Sequence, residues 1–214
     1  MPEPPQNEAK LSRAAANRLS QYLRSVRSLE SDEATISSIQ LGDSVGVSAA
    51  QVRRDLAALG HLGQRGVGYE IAGLIKALRK AMGVDRRWRV VLVGVGNLAR
   101  ALMRYKGFAE HGFDLVGLFD SSPALQGKVV EGLTIQPMAN LANGVERLRA
   151  ELGILTVPGE AAQGVADAMV AAGLRGLMNF APVRLKVKPP TALIPVDLAI
   201  QLEQLAFAVH LHSE

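Results

Sequence analysis

Along the first eighty residues apolar positions recur every third or fourth place, whereas beyond residue 88 they gather into short unbroken runs. The first pattern predicts amphipathic helices, and the second predicts strands covered on both faces. In residues 12–29, Ala15, Leu19, Tyr22, Leu23, Val26 and Leu29 line one helical face, with Ser12 placed to cap it. The polar stretch "ESDEAT" ends this helix, and Ser37 or Ser38 opens a shorter one through Val45. Gly46 stops the second helix and Ser48 caps a third, running to about Leu59, so two short helices meet across "VGVS" as in a helix-turn-helix. "GHLGQRGVGYEI", residues 60–71, reads as a β-hairpin with Gln64 and Arg65 near its tip, and 74–82 as a closing helix. The segment is predicted to be a winged helix; the alternative is a helical cap with a purely structural role.

After the connector "GVDRRWR", residues 89–93 form a continuous apolar strand that runs into Gly94-Val95-Gly96-Asn97-Leu98-Ala99, and 97–108 reads as a helix. Strands are then predicted at 114–119, 133–135, 153–157 and 177–180, with helices at 141–151 and 161–172. Such alternation implies a doubly wound parallel sheet, an α/β fold of Rossmann type. The tail after Pro195 is a strongly apolar helix with Asp197 near its start, where a carboxylate complements the helix dipole. Three segments result: a winged helix over 12–83, a Rossmann domain over 88–195, and a C-terminal helix over 196–212.

The formal charge of +4 sits entirely in the first segment: residues 1–88 carry thirteen Lys and Arg against nine Asp and Glu, and the remainder carries eleven of each. A basic surface favours phosphate polyanions, although a charge this small is also what ordinary solvated helices carry. The absence of cysteine excludes disulfides, zinc–thiolate sites and thiol redox chemistry, so any redox role needs a bound cofactor. With no long apolar span and no secretory signal in "MPEPPQNEAK", a cytoplasmic location is expected, with those first ten residues unordered.

The third helix carries Gln51, Arg53, Arg54 and Asp55 on its polar side. Near the start of a second helix such side chains suit the major groove: arginine donates two bonds to guanine, and glutamine pairs with adenine. Arg65 in the wing would reach a phosphate or a minor groove. In the second domain, Gly94 permits a tight turn, Gly96 lets a pyrophosphate approach the backbone, and Ala99 lets the helix lie close to its strand. The start of that helix offers N–H groups to phosphate. Asp120, 24 residues beyond Gly96, ends the next strand, where it would accept bonds from the adenosine ribose and repel a 2′-phosphate; the expected ligand is NAD(H). Thr156 and Asn179 end later strands on the same ligand-binding edge.

Catalytic candidates are few. His61 falls in the wing, His111 in a helix-to-strand turn, and His210 and His212 at the chain end; Tyr105 and Lys106 are adjacent and not one helical turn apart. No acid–base group stands at the ligand edge, and the length of a substrate domain is taken by the winged helix. A cofactor bound without chemistry beside a DNA-binding domain points to a sensor, not an enzyme. The alternatives are a small NAD-dependent oxidoreductase with a helical cap, and a repressor sensing another nucleotide such as an acyl-CoA.

The motifs "AAQVRRDLAALGHLGQRGVGY", "VVLVGVGNLARAL", "LVGLFD", "ILTVP", "MNFAP" and "PVDLAIQLEQLAF", in this order, resemble the Rex family of redox-sensing transcriptional repressors. The resemblance implies a homodimer whose winged helices bind a palindromic double-stranded DNA operator and whose Rossmann domains bind NADH or NAD+, NADH favouring release of DNA. It implies DNA contacts from Ser48, Gln51, Arg53, Arg54 and Arg65. For the cofactor it implies Gly94, Val95, Gly96, Asn97, Leu98, Ala99, Asp120, Thr156, Val157, Asn179, Phe180 and Ala181. It also implies a C-terminal helix exchanged between subunits, in which Asp197 pairs with Tyr105 across the dimer in one state and with Arg24 in the other. No metal and no membrane enter this scheme. Two departures from the family pattern are Leu198, where many members carry phenylalanine near the nicotinamide, and Ala57-Ala58, in place of an aromatic-containing stretch.

Overall fold

The computed structural model describes residues 12–29, 34–64 and 66–211. The first ten residues, Arg65 and His212 lie outside the described residues. The chain divides into two compact units between Arg86 and Arg87.

In the N-terminal unit, Ser12 accepts the N–H of Ala15 and caps α1 (Arg13–Ser28). After β1 (Thr35–Ile36), Ser37 and Gln40 form a reciprocal capping box that opens α2 (Ser38–Val45). Gly46 ends α2 in the left-handed conformation at φ 74°, which disfavours any residue with a Cβ. Ser48 then caps α3 (Ala49–Ala57). The wing is β2 (Gly63–Gln64) antiparallel to β3 (Gly68–Glu70), and β1 pairs with the other side of β3. Two expectations change here. The wing has a third strand within what the sequence presented as a polar break, and Ile71 opens α4 (Ile71–Ala81) instead of closing the hairpin. Glu70 causes the second change, because its carboxylate caps α4 by accepting the N–H groups of Ala72 and Gly73. Leu19, Tyr22, Val26, Ile36, Leu41, Val52, Leu56, Leu74 and Leu78 form the core of this unit.

The second unit is a sheet in the order β10-β9-β8-β4-β5-β7-β6. β4 (Trp88–Val93) is central and parallel to β5 (Phe113–Asp120) and β8 (Leu152–Leu155). β7 (Leu133–Pro137) extends one side, with β6 (Val129–Val130) antiparallel at its edge. β9 (Gly176–Asn179) and β10 (Ala192–Pro195) extend the other. Val91 and Val93 pack on one face against α7 (Leu141–Arg147) and α8 (Gly159–Ala171); Val90 and Leu92 pack on the opposite face with Ala99 of α5 (Asn97–Met103). Strands covered on both faces account for the unbroken apolar runs.

The helix expected over 97–108 is broken: α5 ends at Met103, and α6 (Gly107–Glu110) follows a turn that leaves Tyr105 exposed, edge-on to Phe108 with ring centroids 5.2 Å apart. The helix expected over 141–151 ends at Arg147, preceded by a single 3-10 turn. β10 was not anticipated, since "TALIP" is short and follows two prolines. The last element, α9 (Leu198–Leu211), buries none of its residues, and Leu202 and Phe207 are 67% and 62% exposed.

Candidate nucleotide and nucleic-acid sites

On α3 the polar side chains are tied into a network. Asp55 is not on the solvated side as expected but buried at 7% exposure, facing α1. Arg18 of α1 grips it with two bonds, Nε to Oδ2 at 2.6 Å and Nη2 to Oδ1 at 2.7 Å. The hydroxyl of Tyr22, one turn further along α1, donates to Oδ2 at 3.0 Å, and Gln51 Nε2 donates to Oδ1 at 2.8 Å. Arg54 in turn donates to Gln51 Oε1 at 2.7 Å, while Arg53 donates to Ser38 Oγ at 2.8 Å, at the start of α2. The Arg18 guanidinium holds the Asp55 carboxyl below the usual carboxylate range against the opposing effect of burial. Burial, and then donation to Asp55, push the Tyr22 hydroxyl up to about 12.

Arg53 and Arg54 are exposed, Gln51 is half-buried, and Ser48 spends one lone pair on its capping bond. Arg18 and Tyr22 were missed as site residues. Their spacing of four along α1, together with the position of Asp55 between the core residues Val52 and Leu56, was the available signal.

In the second unit the turn after β4 lies where strand order reverses, between β4 and β8, which is where open α/β sheets bind ligands. Gly94 has φ 93°, and a Cβ there would stand 2.6 Å from Val157 Cγ1 and 2.7 Å from the Thr156 carbonyl oxygen. Its lack of a side chain therefore serves the close approach of the segment following β8. Thr156 fastens this contact, donating its hydroxyl to the Gly94 oxygen at 2.7 Å. From the other side Asp120 Oδ2 accepts the Val95 N–H at 2.7 Å, and Oδ1 accepts the Ser122 N–H at 2.7 Å. Asp120 thus braces the turn in addition to standing at the strand end; its remaining lone pairs are the ones a ribose hydroxyl would use.

Gly96 differs from Gly94. Nothing lies within 4 Å of a Cβ built on it, and α5 begins there with no side-chain cap. The N–H groups of Asn97 and Leu98, which no side chain caps, thus face an open approach, an arrangement that fits a pyrophosphate. Ala99 is fully buried beneath them. Asn179, 1% exposed, spends its amide on its own loop, donating to the carbonyls of Ala181 and Val183 at 3.2 and 3.0 Å and accepting the Ala181 N–H at 2.9 Å. It shapes the segment containing Phe180 and Ala181, so its amide is not aimed at a ligand. Asp197 caps α9, accepting the Ala199 N–H at 2.9 Å. Arg24 is exposed in the first unit, and Tyr105 is exposed in the second.

A family model described as a CoA binding domain matches residues 85–183, and one described as "Putative DNA-binding protein N-terminus" matches residues 10–57. The chain is 45% identical over 202 residues to the redox-sensing transcriptional repressor Rex of Rhodopirellula baltica, covering 94% of this chain and 85% of that one. The chain belongs to the Rex family. The Rex of Desulfitobacterium hafniense is 42% identical over 201 residues, covering 94% and 96% of the two chains. Among solved structures, the Rex-family repressor RSP in complex with β-NAD+ and operator DNA matches with a TM-score of 0.90 at 33% identity, covering 96% of this chain and 95% of that one. RSP in complex with β-NADH matches with a TM-score of 0.86 at 31% identity, covering 96% and 97%. These Rex relatives carry the names of repressors, not enzymes. Among the described residues of this Rex chain, no helix is long and apolar enough to cross a membrane.

Proposed function

We propose that this Rex-family chain is a transcriptional repressor that senses the NADH/NAD+ ratio without turning the cofactor over. As a homodimer it binds a palindromic operator and releases it when NADH binds. The observation that carries the reading is the open approach at Gly96 to the uncapped start of α5, braced by Asp120 and Thr156, in one chain with a winged helix. The RSP complexes, one with β-NAD+ and operator DNA and the other with β-NADH, support it. Gly94 to Ala99 would hold the pyrophosphate, Asp120 the ribose, and Thr156, Val157 and the 179–181 segment would line the rest of the groove. Ser48, Gln51, Arg53, Arg54 and Arg65 would meet DNA. The carboxylate of Asp120 disfavours CoA, whose adenosine ribose carries a phosphate.

The exposed apolar α9 supports a swapped dimer, because a helix with so much unburied surface is stable in water only when a partner covers it. Asp197, which opens that helix, is the proposed switch, exchanging Tyr105 of the partner copy for Arg24 of α1. The direct test titrates a labelled promoter duplex with the protein and adds NADH or NAD+ separately. NADH at saturating concentration should release the duplex, and an intact complex would refute the reading. A Tyr105→Phe protein that still released DNA normally would remove Tyr105 from the switch.

A further inference from the structure

The carboxylate of Asp55 has all its acceptor positions filled: Arg18 and Gln51 on Oδ1, Arg18 and Tyr22 on Oδ2. Three of those four bonds come from α1 and serve to hold the carboxylate. The fourth goes to Gln51, on the same helix and one turn earlier, and fixes which way its amide faces. A carboxylate only accepts and a guanidinium only donates, so the Gln51 nitrogen has to face Asp55 and its oxygen has to face Arg54. One N–H and one oxygen lone pair of the amide then remain, in a defined left-right order. That is the donor–acceptor pair that adenine complements through N7 and N6.

Resting on the reading of α3 as the recognition helix, we infer that Asp55, a residue that does not itself touch DNA, sets the base preference of Gln51 by locking its amide in one orientation. Asp55 is thus a positioning residue. Arg18 and Tyr22 make the lock rigid, and Arg54 completes it from the solvent side. Without the carboxylate the Gln51 amide is held only by the exposed Arg54 and can also turn its N–H to the O4 acceptor of thymine, so the margin in favour of adenine shrinks.

The test uses the full chain. A duplex is recovered from random-sequence DNA with the parent protein, and affinities for it and for its single-base variants are measured by fluorescence anisotropy. Gln51→Ala marks the position that Gln51 reads. Asp55→Asn and Asp55→Ser should lose about tenfold of the adenine preference at that position and leave the other positions unchanged. Tyr22→Phe, which spares the Gln51 bond but loosens the anchor of its partner, should lose less of that preference than either Asp55 variant. A uniform loss of affinity in both Asp55 variants, or loss of their helical circular dichroism, would make Asp55 a folding residue only and overturn the inference. If the parent recovers no duplex, or Gln51→Ala alters no position, the recognition-helix reading itself fails and this inference falls with it.

Discussion

The two glycines of the turn after β4, the proposed nucleotide site, should respond oppositely to the same added methyl group. Gly94→Ala places a Cβ 2.7 Å from the Thr156 carbonyl oxygen, a backbone atom that cannot swing aside, at a φ of 93°. The backbone conformation costs about 1–2 kcal/mol for a residue with a Cβ, and overpacking a well-filled site costs about 1–3 kcal/mol more. The sum, about 3 kcal/mol, should lower the unfolding temperature of the second unit by roughly 10 °C. At Gly96 nothing lies within 4 Å of the new Cβ and φ is −83°, so only the weaker capping preference of alanine is felt, about 1 kcal/mol or less. The same methyl stands in the approach to the N–H groups of Asn97 and Leu98. Hydrogen bonds to a charged group contribute about 1.5–3 kcal/mol each, so Gly96→Ala should weaken NADH binding about tenfold to hundredfold. Calorimetric unfolding and titration of NADH fluorescence on both variants separate the effects. Equal destabilisation by the two substitutions, or parental NADH affinity in Gly96→Ala, would show that the approach at Gly96 is not the phosphate site.

Asn179→Ala removes three hydrogen bonds from a buried loop, and a loss of about 2–3 kcal/mol is expected in urea unfolding, together with weaker NADH binding. Tyr22→Phe deletes one bond to a carboxylate that keeps three others, so about 1 kcal/mol should be lost from the N-terminal unit, measured by chemical denaturation. Because the folded Asp55 titrates below its ordinary value, its contribution is complete above about pH 4 and is lost as pH falls below that. Thermal unfolding between about pH 2 and pH 5 should therefore depend less steeply on pH in Asp55→Asn than in the parent; parallel curves would contradict the assigned direction.

Elements marked by side-chain caps and glycine stops were legible from the chain alone: Ser12, Ser37, Ser48 and Gly46 stand where the helices begin and end. What escaped were features with little local signature. β1 and β10 are short strands defined by their partners, Ile36 pairing with Tyr69 and Leu193 with Leu177. The break between α5 and α6 carries no proline, only Gly107, whose missing Cβ makes room for the Tyr105 ring. In the candidate sites, residue identities were readable but several roles were not. Asp55 and Asn179 looked like polar groups facing a ligand, yet each is buried and satisfied by protein atoms from another helix or its own loop. Buried polar partnerships depend on which segments meet in space, and neither periodicity nor motif spacing records that.

The stitching of the turn by Thr156 and Asp120 bears on what kind of information the turn can carry. Held by protein bonds on both sides, it needs no ordering when a dinucleotide arrives, which lowers the entropic cost of capture. The pyrophosphate and adenosine that it is proposed to meet are chemically the same in NADH and NAD+. A contact made equally with both cannot shift an equilibrium between them, however tight it is. On the proposed reading the turn sets how full the sensor is, and the redox state has to be read at the nicotinamide, beside which the family resemblance puts Leu198.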